Sequence, residues 1–142
     1  MIETRLNNFS HPRPLMDLEK RKETIFLYSP DIDFCVSLRM LFEDRYHIVT
    51  TTDPSMLLTM VRTLQPDLVI ADALPTERMQ QRFAVMKREN PLLRIMVFSV
   101  SSYDDMQIPE SVRNCIDVVF SKPVDLVEVT RSINDLVSHE IR

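Results

Sequence analysis

The chain contains no glycine. That absence excludes every phosphate-binding loop that needs a residue without a Cβ. Neither a P-loop nor a dinucleotide fingerprint can be built from this sequence. Cysteine is scarce: Cys35 and Cys115 are far apart in sequence and lack the short spacing of zinc ligands. Both read as small buried thiols. His11, His47 and His139 are scattered and form no metal motif. No apolar run approaches the roughly 20 residues that cross a bilayer, and the polar start, residues 1–10, is unlike a signal peptide. A cytoplasmic location with no membrane contact is expected. Basic excess is missing too. A net charge of -4 gives no footprint for nucleic acid.

What is present fits one globular domain. The chain has 142 residues, 44% hydrophobic and 27% charged, which is enough to bury a core. Residues 1–22 read as an N-terminal extension, with Pro12 and Pro14 opposing a helix and room for a short helix over 15–21. A loosely docked or mobile tail is the expectation there. Residues 23–142 form the domain. The nine methionines of the whole chain invite a Met-lined binding groove, but Met56, Met60, Met79 and Met86 fall at core spacing.

Within the domain, apolar runs alternate with helical patterns. Strands are expected over residues 25–28, 46–50, 68–72, 93–99 and 116–121. Helices are expected over 32–43, from Asp53-Pro54, from Thr76 to 89, over 110–114 and over 125–139. Asp31 or Asp33 can cap the first, and Asp53 followed by Pro54 is a strong start for the second. The inward positions include Leu41 on the first helix, Met56 on the second and Leu126 on the last. Residues 101–108 carry no clear pattern. Such alternation predicts an α/β fold with a five-stranded parallel sheet covered on both faces. Ligands of open sheets sit beyond the C-terminal strand ends.

Three of those ends are polar. Leu68-Val69-Ile70-Ala71 ends in Asp72, the fourth strand ends in Ser99, and the fifth is followed by Lys122. An aspartate at a strand end can be a phosphoryl acceptor, while a lysine and a hydroxyl neutralise and bind the phosphoryl oxygens. Each residue alone would read as structural, with Asp72 and Lys122 as an ion pair. All three in order favour a shared site.

The stretches 66–72 with Pro75, 97–99 and Phe120-Ser121-Lys122-Pro123 resemble the receiver (CheY-like) domain of two-component response regulators. The resemblance covers residues 23–140. It implies a doubly wound, flavodoxin-like sheet of order 2-1-3-4-5. It also implies Asp72 as phospho-acceptor, Ser99 and Lys122 as its helpers, and a Lys122-Pro123 bond that is often cis. The implied partner is a histidine kinase or histidine phosphotransfer protein, or another signalling protein. The region of the fourth and fifth helices would serve output or homodimerisation. With no effector domain expected after the last helix, the signal would pass by protein contact.

The departures from the pattern are specific. The family holds Mg2+ with an acidic pair after the first strand, where this chain has Ser29 and Pro30. Asp31 is the nearest substitute, with helix capping as its competing role. The loop between Asp72 and Pro75 is one residue short, and Val119 stands where a switching aromatic is usual. Metal-dependent phosphorylation is therefore expected to be impaired. The alternative is a pseudo-receiver acting without phosphorylation. An aspartyl-nucleophile phosphatase is disfavoured, because Leu74 stands where such enzymes need a second acid. The chain is expected not to be an enzyme.

Overall fold

A computed structural model describes residues 22–100 and 109–137. The extension up to residue 21 with its expected short helix, the unpatterned stretch 101–108 and the last helix beyond residue 137 lie outside the described residues.

Five strands form one parallel sheet. They are β1 (Thr24–Tyr28), β2 (His47–Thr51), β3 (Leu68–Asp72), β4 (Arg94–Ser99) and β5 (Val118–Ser121), in the order β2-β1-β3-β4-β5. Every pairing is parallel. The order is the flavodoxin-like, doubly wound one expected from the sequence. The connecting helices are α1 (Ile32–Phe42), α2 (Leu57–Leu64), α3 (Glu77–Glu89), α4 (Glu110–Arg113) and α5 (Leu126–Val137).

The three central strands, β1, β3 and β4, bury both faces, so each reads as a continuous apolar run rather than an alternating one, whereas the edge strands β2 and β5 are only partly buried. Side chains on successive positions go to opposite cores. Ile25, Leu27, Leu68, Ile70, Met96 and Phe98 meet α1 and α5. Phe26, Val69, Ala71, Ile95 and Val97 meet α2 and α3, through Leu57, Val61, Met79, Phe83 and Met86.

Helix starts follow the sequence closely. Asp31 caps α1 by accepting from the N–H groups of Asp33 and Phe34 at 3.0 and 3.3 Å. Thr76 caps α3 and Asp125 caps α5 in the same way. With no glycine to take a left-handed cap, Gln65 does so after α2, at φ 50° and ψ 57°. Its backbone N–H donates to Val61 and its side chain to Arg62. Pro66 then prevents any continuation of the helix.

Several expected details shift. Asp53 caps a single 3-10 turn, Pro54–Met56, rather than the helix proper. The tighter winding of that turn takes Met56 off the inward face, so it is exposed. Leu41 and Leu126 are also exposed, because each lies at the edge of its helix's buried stripe. Cys35 is buried, but Cys115 is only half-buried.

Asp117, just before β5, ties the sheet's lower edge. It accepts from the Ile95 N–H at 2.7 Å and pairs with Lys87 and Arg94, each at 3.3 Å. On the opposite face of α3, Arg62 grips Glu89 with two bonds of 2.9 and 2.8 Å. The hydrogen bond from Arg62 lowers the Glu89 carboxyl below its ordinary pKa. A depressed acid stabilises the fold above its unfolded pKa, and that contribution fades as pH falls through the folded value. Urea midpoints of wild type and Glu89→Gln are thus expected to differ at pH 7 and to converge near pH 3. The exposure of the pair and its screening by salt keep this effect small.

Candidate functional site

The site is assembled at the C-terminal ends of the central strands. β3 lies between β1 and β4, so Asp72 emerges between the ends of both neighbours. The register pairs Tyr28 with Ala71 and Asp72 with Phe98. The residue after Tyr28 therefore comes level with Asp72 on one side, and Ser99 follows on the other.

Asp72 is only 6% exposed, and both its oxygens are engaged. Oδ1 accepts from Lys122 Nζ at 2.8 Å. Oδ2 accepts from Ser29 Oγ at 2.7 Å. Ser29 is fully buried and is itself fixed. Its N–H donates to Thr51, extending the β1–β2 ladder by one bond, and its Oγ accepts from the Asp31 N–H at 3.1 Å. The hydroxyl proton is thereby directed at the carboxylate.

Beneath this arrangement lie Cys35 and Tyr28. The Cys35 thiol donates to the Ser29 carbonyl at 3.7 Å. Burial, and then the nearby carboxylates, push its pKa up, which keeps it a thiol. Burial followed by the charge of Asp72 likewise raises the Tyr28 phenol.

A crevice of about 200 Å³ opens above the carboxylate, bordered by Pro30, Asp72, Leu74, Ser99 and Lys122. Ser99 is buried at its wall. Two backbone bonds stitch the rim: Ala73 N–H to Phe98 and Lys122 N–H to Ser99, both 3.1 Å. The Lys122-Pro123 peptide is cis. The structure thus brings Asp72, Ser99 and Lys122 together, as the strand endings implied. It does not bring Asp31 in as an acid, because that carboxylate is turned to the first turn of α1.

Ser29 is the residue that sequence reasoning undervalued. It counted as a missing charge, whereas it is a direct donor to Asp72. The signal was available in the strand order: once β1 neighbours β3, the residue after Tyr28 faces Asp72.

The donor set does not fit Mg2+. A divalent ion of this kind draws most of its protein affinity from anionic oxygens. Here one carboxylate is present, its charge is balanced by Lys122, and its second oxygen is held by a neutral hydroxyl. Among the described residues, no three His, Cys, Asp or Glu side chains cluster closely enough to hold a metal. None of the described helices is long and apolar enough to cross a membrane.

No protein-family profile and no curated protein matches this sequence. Solved structures do. The N-terminal domain of the nisin resistance regulator NsrR, a lantibiotic response regulator, is 20% identical, with a TM-score of 0.66 over 82% of this chain and 99% of its own. A response regulator from Thermotoga maritima is 16% identical, at 0.70 over 83% and 99%. The receiver domain of the Francisella response regulator 1452 is 15% identical, at 0.69 over 84% and 99%. The chain therefore has the fold of response-regulator receiver domains, over nearly the whole length of each.

Proposed function

We propose that this chain is a signalling module of the receiver type that works through protein contacts, with Asp72 as candidate phospho-acceptor and metal-dependent phosphorylation impaired. Its partner would be a histidine kinase, a histidine phosphotransfer protein or another signalling protein, and the module itself would not be an enzyme. One observation carries the reading: Ser29 Oγ occupies Asp72 Oδ2 where an acidic pair and its metal would otherwise act. The fold and the meeting of Asp72, Ser99 and Lys122 support the general class.

Phosphoryl transfer would form a P–O bond to an Asp72 oxygen and break the P–N bond of a phosphohistidine. The acceptor oxygen must first lose either its hydroxyl donor or its ammonium. The acyl phosphate carries close to two negative charges where the carboxylate carried one. Lys122 and the hydroxyls of Ser29 and Ser99 would have to offset them, since the Ala73 N–H is already committed to Phe98. That commitment favours a second reading, in which the module signals without phosphorylation and the Asp72–Lys122 pair is structural.

Intact-mass measurement after acetyl phosphate treatment, with and without Mg2+, tests the proposal. The expected result is little or no added phosphoryl group, with no increase on adding Mg2+. Rapid Mg2+-dependent labelling that is lost in Asp72→Asn would overturn it. Slow labelling that needs Asp72 but ignores Mg2+ would support the first reading over the second.

A further inference from the structure

As a phosphoryl acceptor, the Asp72 site is short of one positive charge. In the resting structure Lys122 balances Asp72 at 2.8 Å. An acyl phosphate there carries close to twice the negative charge. Among the described residues, no second cation is placed to answer it. Leu68 and Ile70 of β3 face α1 and α5, and Asp72 follows the same alternation. Arg78 and Arg82 are on α3, which packs on the other face of the sheet through Met79, Phe83 and Met86. On the near face, α1 and α5 both start at the site end of the sheet. Arg39 is in the last turn of α1, and Arg131 is midway along α5.

The charges that do gather at this end are negative. Asp31 and Asp33 open α1, and Asp125 and Glu128 open α5. Their potential draws a cation toward the crevice and repels a free anionic donor. The lips of the crevice decide which kind of cation. Leu74 and Val100 border it, 46% and 68% exposed, with Pro30 beside them. These side chains offer no oxygen ligand, so a hydrated Mg2+ gains nothing from them. A guanidinium does gain. It is weakly hydrated, its stem packs on aliphatic surface, and its fork donates parallel hydrogen bonds to phosphoryl oxygens.

We propose that this site takes its second positive charge from an arginine of the phosphodonor partner, inserted between Leu74 and Val100 beside Asp72, in place of a metal ion. The inference rests on the reading of Asp72 as phospho-acceptor, and it names the feature that the partner must carry. Lys122 holds one side of the phosphoryl group and the partner's guanidinium the other. Small phosphodonors are poor substrates because they bring negative charge and no cation.

Phosphoramidate labelling of the full-length chain, read by intact mass, tests this. An Asp72 oxygen forms the P–O bond, the P–N bond breaks with its electron pair on nitrogen, and ammonia leaves. Methylguanidinium stands in for the arginine, with NaCl at equal ionic strength and Mg2+ as comparisons. Methylguanidinium is expected to speed wild-type labelling saturably, and neither comparison is. Leu74→Arg supplies the group in cis. It is expected to label at least about tenfold faster than wild type, the worth of one charge-assisted hydrogen bond. Leu74→Glu is expected to label more slowly. Val100→Arg puts the guanidinium on the other lip, so the test survives if Leu74→Arg does not fold. Equal rates in wild type and both arginine variants, all lost in Asp72→Asn, would overturn the inference while leaving Asp72 as acceptor. So would a Mg2+ stimulation that matches methylguanidinium. No labelling of any form would overturn the inference and the phospho-acceptor reading together.

Discussion

Phe98→Ala is expected to lower stability by about 3–5 kcal/mol, the range for removing a large aromatic side chain from a packed core. Phe98 is fully buried on β4. Its ring sits edge-on to Phe34 at 5.8 Å and to Phe120 at 6.0 Å, both with an interplanar angle of 73°. It therefore joins α1, β4 and β5 at one point. Truncation removes the burial and both aromatic contacts, and it opens a void that rigid strands close poorly. A domain of this size has about 5–15 kcal/mol in total. The variant should be close to unfolding at physiological temperature, and thermal or urea denaturation will show it. A loss below about 1 kcal/mol would mean that this junction is looser than the geometry states. The backbone of Phe98 holds the Ala73 N–H beside Asp72. The same variant should therefore broaden the amide signals of residues 72 and 73.

Ser29→Asp is expected to convert a metal-indifferent site into a metal-dependent one. The new carboxylate would face Asp72 Oδ2 across roughly the 2.7 Å now spanned by a hydroxyl hydrogen bond. Two like charges about 4 Å apart repel by about 4 kcal/mol at the effective dielectric near a protein surface, an upper figure that Lys122 partly offsets. Without Mg2+ the variant should melt well below wild type. With Mg2+ it should recover, because an ion bound only by the folded state stabilises by RT ln(1 + [Mg2+]/Kd), about 2.7 kcal/mol at a hundred times Kd. Wild type should not respond. Ser29→Ala is the control for losing the hydroxyl alone. It strips one donor from a buried carboxylate at a cost of about 1–3 kcal/mol and should confer no metal response. Equal Mg2+ shifts in wild type and Ser29→Asp would sink this account of the site.

The sheet was legible because its central strands are buried on both faces and so stand out as short apolar runs between capped helices. Asp72 and Lys122 were legible because each interrupts such a run at the end where parallel sheets gather their ligands. Ser29 was not. A serine after a strand carries no charge and no periodicity, and only its placement opposite Asp72 gives it a role. Leu41 and Leu126 show a different limit. Helical spacing assigns a residue to a broad stripe, and it does not separate the centre of the stripe from an edge that borders an open groove. The left-handed turn at Gln65 was hidden by the lack of glycine, which normally marks such positions.

The central claim is that a hydroxyl and an ammonium satisfy Asp72 internally, in place of a metal ion. Titrating the wild-type protein with Mg2+ while following the amide signals of residues 29, 72 and 73 tests it most directly. No saturable shift through the millimolar range is the predicted result. A saturable shift centred on Asp72, and absent from Asp72→Asn, would contradict it.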